Sequence, residues 1–270
     1  MERHLMAALL ATSLAACGAE PPAEQVPTPA PPDPAGRFAE AIERAHGGAG
    51  WRAHEALAAG IRVEFGGKTV LDGRIVFTTD MGRSRIELKD GSVAVWDGAT
   101  AWLAPAGSSF EGARFHVLTW PYFALAPIKL RDPGTRLELL GSRELQGRTL
   151  EAGRLTFEKG VGDTPDDWYV VYRDPESGRL HGMAYIVTFG TPTEKAEAEP
   201  HAITYHDYAD VDGVPVPTRW SFWLWSEQEG IHGEAIGSVT LADPSFVEPE
   251  PGLFDPPEGA KEQPLPAPAA

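Results

Sequence analysis

Residues 168–189 read WYVVYRDPESGRLHGMAYIVTF, two apolar runs joined by a short polar stretch. Runs of this length, rich in aromatic and β-branched residues and bounded by turn formers, predict a hairpin of strands Trp168–Arg173 and Arg179–Phe189. Asp174-Pro175 starts a type I turn, and Gly178 accepts the positive φ that follows. Neither strand keeps a wet face. An antiparallel sheet with one side in water alternates apolar and polar residues. Here Trp168, Val170 and Tyr172 share one face while Tyr169 and Val171 share the other. In the return strand Met183, Tyr185, Val187 and Phe189 oppose Ala184 and Ile186, and in 220–225 Trp220, Phe222 and Leu224 oppose Trp223 and Trp225. The chain has 11 Phe, 8 Trp and 6 Tyr, and 11 of these rings fall between 168 and 225. Each one left in water would forgo roughly 1.5–3 kcal/mol of transfer free energy. Both faces of this part of the sheet therefore need a cover.

Earlier strands obey the simple rule. Ile61, Val63 and Phe65 alternate with Arg62 and Glu64, and Ile86 and Leu88 with Arg85, Glu87 and Lys89. Further strands are expected at Thr69–Thr79, Arg83–Lys89, Val93–Trp96, Thr100–Ala104, Thr135–Glu144, Arg148–Glu158, Ala202–Tyr208, Pro217–Trp225 and Gly233–Ala242. Asp97-Gly98 and Asp212-Gly213 mark tight turns between them. Ahead of the strands, Phe38, Ala41, Ile42 and Ala45 have helical spacing within 37–47, and a second short helix is expected at about 50–59 around Trp51 and Leu57. The class is α+β, with one antiparallel sheet or a barrel. The series is interrupted at 110–128, FEGARFHVLTWPYFALAPI, read as one or two short helices lying across the sheet. That segment is either a plug in the core or a lid over a cavity.

The chain of 270 residues carries 39 acidic against 23 basic side chains, a formal net charge of -16. Such a surface repels nucleic-acid phosphates and does not dock electrostatically on anionic lipid heads. No stretch approaches the ~20 apolar residues of a membrane-spanning helix, so any membrane attachment belongs at an end. Residues 5–16, LMAALLATSLAA, have the length of a secretory apolar core and end in Leu14-Ala15-Ala16-Cys17. This resembles the lipobox of bacterial lipoproteins, although Met1-Glu2-Arg3-His4 is less positive than usual. The resemblance implies a signal peptide over 1–16 and lipid attachment at Cys17, the one cysteine in the chain. Gly18 after it is similar to the outer-membrane sorting pattern, implying an outer-membrane anchor facing the periplasm if the source has two membranes. Residues 17–36 are rich in Pro and Ala, an extended hydrated tether. The Pro-rich segment 258–270 is expected to be disordered, leaving 37–257 as the folded domain.

Within that domain, three stretches occur in order: Ala45-His46-Gly47-Gly48 with Trp51; the 168–180 hairpin; and Val211 to Trp220, VDGVPVPTRW. Together they resemble a group of envelope lipoproteins similar to the LolA/LolB-type lipoprotein carriers of the periplasm. Phe254 before Pro256-Pro257 fits the same pattern. The resemblance implies a strongly curved, half-open sheet of roughly 10–12 strands wrapped on a few helices, whose concave face receives acyl chains. The expected function is that of an anchored protein binding a lipid, an acyl chain or another hydrophobic molecule. The alternative is a structural or protein-interaction lipoprotein whose concave face is filled. Cavity-wall candidates are Trp168, Tyr169, Tyr185, Trp220, Trp223 and Trp225, with Phe115, Trp120 and Phe123 on the lid; strand parity leaves open which of them face the helices.

The remaining polar residues carry no recognisable catalytic signature. No two histidines have HExxH or HxxxH spacing, and no G-x-S-x-G elbow occurs. Asp207, Asp210 and Asp212 read as a turn lacking a calcium loop's last ligands, and Asp163, Asp166 and Asp167 as a solvated loop. Neither an enzyme nor a cofactor or metal requirement is expected, and the protein partner stays unspecified.

Overall fold

A computed structural model describes residues 33–267. The expected signal peptide, Cys17 and most of the tether lie outside the described residues.

Two helices open the domain. In α1 (Pro34–Ala45), Asp33 caps the first turn by accepting from the Gly36 N–H, and Pro34 sits where no amide partner is required. The helix buries Phe38, Ala39 and Ile42, and α2 (Gly48–Ala53) buries Trp51. The helix expected to reach about 59 ends at Ala53, because β1 (Ala56–Phe65) already pairs with both neighbours from Ala56 onward. Ala56-Leu-Ala-Ala59 has good helix propensity. Here it alternates instead, with Leu57 and Ala59 in the central core and Ala56 and Ala58 in another. Ladder pairing on two sides overrides the local preference.

The remaining strands are β2 (Lys68–Thr78), β3 (Ser84–Leu88), β4 (Val93–Trp96), β5 (Ala101–Ala104), β6 (Thr135–Leu145), β7 (Arg148–Phe157), β8 (Tyr169–Arg173), β9 (Leu180–Tyr185), β10 (His201–Val211), β11 (Val214–Ser226), β12 (Gly230–Val247) and β13 (Lys261–Gln263). Helix α3 (Ala113–Lys129) separates β5 from β6, and α4 (Thr193–Ala198) follows β9. One antiparallel sheet runs β13-β5-β4-β3-β2-β1-β12-β11-β10-β9-β8-β7-β6. It is two meanders, β1–β5 and β6–β12, zipped together where β1 meets β12. The sheet is not closed. Its 13 strands exceed the expected 10–12 because the tail expected to be disordered contributes β13, which pairs Lys261–Gln263 with Leu103–Ala101. Register shifts at Ala58/Gly60, Leu139/Gly141 and Phe222/Leu224 are bulges of the kind that bend strands.

All three longer-range helical packings are on one face of this sheet, where α1, α2 and α3 share a core with residues from nearly every strand. Helix α3 is mostly apolar around its circumference, with Arg114, His116 and Lys129 near its two ends. Two prolines lie inside it, Pro121 and Pro127. Each lacks the N–H that would bond the carbonyl four residues back, which frees the Val117 and Phe123 oxygens. Both are recaptured by the sheet. The Ser84 hydroxyl on β3 donates to the Val117 oxygen, and the Tyr205 hydroxyl on β10 donates to the Phe123 oxygen at 2.9 Å. The helix that the sequence left as one or two pieces is continuous, and its prolines pin it to both meanders.

The opposite face has two separate covers. Over β1–β4, Phe254 from the chain after β12 packs on Ala56, Ala58, Val76 and Val95. Over β7–β11, Ala196 of α4 and Leu145 at the β6–β7 tip close on Trp168, Val170, Tyr172, Ile186 and Trp225. Leu145 lies beside Gly230, which turns between β11 and β12 with φ +66°. The hairpin tips and α4 supply the second cover, and the 110–128 segment does not.

Candidate functional site

The helices do not fill the curve of the sheet. A hollow of about 760 Å³ remains, bounded by α3, the inner face of the sheet and the loop 157–167. Its wall is mainly apolar: Phe65, Met81, Trp96, Phe157, Val187 and Phe222 from the sheet side, facing Phe115, Leu118, Trp120 and Phe123 on α3. Helix α3 is thus both plug and wall. Val117, Ala124 and Leu125 are packed in the core, whereas Phe115, Leu118, Thr119 and Tyr122 border the hollow.

Five charged side chains border the hollow, Asp80, Lys129, Asp132, Asp163 and Asp167, most of them held by a partner. Arg114 holds Asp163 through two hydrogen bonds of 2.6 and 2.8 Å, and its guanidinium lies over Trp96 at 5.1 Å. Lys129 pairs with Asp132 at 2.6 Å and donates to the Asp80 carbonyl. His116 accepts from the Trp120 indole N–H at 3.0 Å, and burial pushes its imidazole down to about 4. It is therefore a neutral acceptor at pH 7.

One end of the wall is a cluster of tyrosines. Ring centroids of Tyr122 and Tyr169 are 5.3 Å apart, those of Tyr169 and Tyr185 6.0 Å, and Phe123 meets Tyr185 at 5.1 Å. Burial raises all three phenols, with the Asp167 carboxyl adding to the effect, so they stay protonated and can donate. Asp167 itself lines the hollow and is only 7% exposed. Its Oδ1 accepts from the Thr188 N–H and hydroxyl, each at 2.7 Å, and burial pushes the carboxyl up despite these bonds. The solvated loop expected around Asp163, Asp166 and Asp167 thus holds one buried acid. The sequence offered one signal, three acids directly ahead of an aromatic run, with nothing to separate Asp167 from its neighbours.

Five of the nine candidate residues border the hollow: Tyr169, Tyr185, Phe115, Trp120 and Phe123. The other four do not. Trp220 is fully buried in the central core beside Tyr205, its indole donating to the Pro217 carbonyl. Trp168, Trp223 and Trp225 lie on the outer face, because strand alternation sets them opposite Tyr169 and Phe222. There Trp168 meets Trp225 edge-on at 6.0 Å, and Arg154 covers Trp168 at 4.4 Å. Trp168 and Trp225 border a different, more polar groove with Glu197, Glu199 and His201. Phe65, Trp96, Tyr122 and Asp167 were missed. They come from distant stretches that only the curvature of the sheet around α3 brings together.

Among the described residues, no cluster of three or more His, Cys, Asp or Glu side chains could hold a metal ion. No helix among them is long and apolar enough to cross a membrane.

No family model matches this sequence, and a search of curated proteins finds no match. Solved structures do match. A LolA superfamily protein of Nitrosomonas europaea superposes with a TM-score of 0.53 at 9% identity, covering 82% of this chain and 96% of that one. A domain named for outer-membrane lipoprotein sorting, from Vibrio parahaemolyticus, gives 0.50 at 12% identity, covering 81% and 95%. At such identities the likeness concerns the backbone alone. With its two zipped meanders curved around one long helix, the protein adopts the fold of the LolA superfamily.

Proposed function

We propose that this protein binds a lipid, an acyl chain or another long hydrophobic molecule in the hollow between α3 and the sheet. The observation that carries this reading is a space of about 760 Å³, walled mainly by apolar side chains, that three packed helices leave unfilled. Its size falls in the range of small-molecule sites, roughly 300–1,000 Å³. A hydrophobic ligand seated there would take this apolar wall out of contact with water, which favours binding. In this reading Tyr169, Tyr185, Phe115, Trp120 and Phe123 contact the ligand, and the protein acts as a binding module and not as an enzyme. The matched structures' names, one of them for lipoprotein sorting, support a role in moving hydrophobic cargo within the envelope. Lipidation at Cys17 and a tether over 17–36 would hold the domain at the membrane, in the outer membrane of a diderm source. The filled-cavity alternative, a structural or protein-docking lipoprotein, requires α3 to occupy the space it leaves open.

Native mass spectrometry of the purified protein, with titration by a fluorescent fatty-acyl probe, tests the reading. Retained lipid, or saturable probe binding weakened by substitutions at Phe115 and Tyr185, is expected. Lipid-free protein that leaves the probe unchanged would overturn it.

A further inference from the structure

We propose that the ligand is an amphiphile with a cationic, ammonium-type head, seated against Asp167. The proposal deepens the apolar-site reading above and rests on it.

Four carboxylates border the hollow: Asp80, Asp132, Asp163 and Asp167. Asp163 is held by Arg114 and Asp132 by Lys129. Asp80 accepts from the Thr78 hydroxyl and the Gly82 N–H, near Lys129. Asp167 is the most enclosed of the four. Its contacts are with Thr188 and Thr164, and among the described residues no Lys, Arg or His pairs with it. A carboxylate taken out of water without a cation is costly, and the usual remedies are an opposite charge or a proton. The described residues place no opposite charge here. They build an aromatic wall. Tyr122, Phe157, Tyr169 and Tyr185 line the same hollow as Asp167, and Phe157 meets Tyr169 edge-on at 5.9 Å. The electron-rich faces of such rings attract an ammonium group, and quaternary ammonium ligands are held in this way. An anionic head would meet the same acid as a repulsion in a desolvated place. The raised carboxyl of the ligand-free protein is the electrostatic counterpart: a positive head bound beside it would restore its ionised form.

The experiment is displacement of a fluorescent acyl probe from the purified protein by three amphiphiles of equal chain length. These are hexadecyltrimethylammonium, hexadecanol and hexadecanoate. Raised salt screens the general attraction of a chain with net charge -16 for any cation. Wild-type protein is expected to bind the ammonium compound at least about tenfold more tightly than the alcohol, with the carboxylate weakest. Asp167→Asn should bring the ammonium-to-alcohol ratio within about twofold of unity, while Asp212→Asn in a surface turn leaves it unchanged. A wild-type ratio near one, a preference for the carboxylate, a ratio that survives Asp167→Asn, or one lost equally in Asp212→Asn would overturn the proposal. Should Asp167→Asn fail to fold, Tyr185→Leu serves instead: it thins the aromatic wall, and the ratio must fall. Binding of the alcohol on a par with the ammonium compound overturns the head-group assignment and leaves the apolar site standing. Failure of all three to displace the probe, with no direct binding, overturns both.

Discussion

The inner and outer faces of β8–β11 are made from nearly the same residues and end differently: the inner one walls a mainly apolar hollow, the outer one a buried aromatic cluster beside a polar groove. Outside, Trp168, Tyr172 and Trp225 pack against each other under α4 and two hairpin tips, and the Trp225 indole donates to the Tyr172 hydroxyl at 3.2 Å. Inside, Tyr169, Tyr185 and Phe222 face a single helix and retain a hollow. Aromatic content therefore says that a face is dry and says nothing about whether it is full. What separates the two is the reach of the cover. Hairpin tips bend onto the surface they belong to, whereas α3 is held at a set height by Ser84 and Tyr205, one from each meander.

Trp225 is buried in the outer cluster beside its polar groove, so removing its ring should be expensive and should leave binding in the inner hollow untouched. Trp225→Ala is expected to cost about 3–5 kcal/mol in denaturant unfolding, with acyl-probe affinity unchanged in protein that remains folded. Reduced probe binding would mean that the two faces are coupled.

The next largest effect concerns the inner face in acid. His46 is 1% exposed, and its Nε2 accepts from the Leu180 N–H at 2.9 Å, tying α1 to β9. Burial, then the nearby Arg179, push its imidazole down to about 3, and burial lowers His116 to about 4. Both folded-state values lie below the ordinary histidine value. The unfolded chain therefore takes up protons first as pH falls, and stability present above about pH 6.5 is lost below it. Each histidine is expected to remove up to about 1.4 kcal/mol per pH unit in that window, read from unfolding midpoints between pH 7 and 5. His46→Gln, which keeps an acceptor without the titration, should flatten the slope. A slope unchanged by that substitution would remove His46 from the account.

Filling the hollow sharpens the contrast from the other side. Val187→Trp, on the cavity wall, should weaken acyl-probe binding about tenfold or more, equivalent to about 1.4 kcal/mol, while unfolding shifts by less than about 1 kcal/mol. The same bulk added to a full face would strain it, so a large loss of stability here would show that the inner face is tighter than it looks. Smallest of all, Leu139→Ser on edge strand β6, where the side chain is 40% exposed, should change stability by less than about 0.5 kcal/mol and binding not at all.

All twelve strands expected from alternation and turn chemistry are present, since a strand's period and its bounding Gly, Pro and Asp residues are local properties. The errors fall where local signals are weak or outvoted. Ala56–Ala59 favours a helix until two neighbours offer it ladders, and Lys261–Gln263 is a strand because β5 has a free edge beside it. Helix α3 runs unbroken through Pro121 and Pro127, and the hydroxyls that take their orphaned carbonyls sit 33 and 82 residues away, beyond any local signal.

By itself, then, the sequence determined the α+β class, the antiparallel meanders, the acidic surface and the burial of aromatic residues on both faces of the 168–185 hairpin. These follow from short-range periodicity and from summed charge, which need no partner to be counted. Which aromatic faces which way, that the inner face walls an apolar hollow while the outer one borders a polar groove, and that Asp167 alone of three neighbouring acids is buried without a cation were decided by the tertiary structure. A one-residue change of phase exchanges the two faces of a strand, and burial depends on what distant segments come to rest against it.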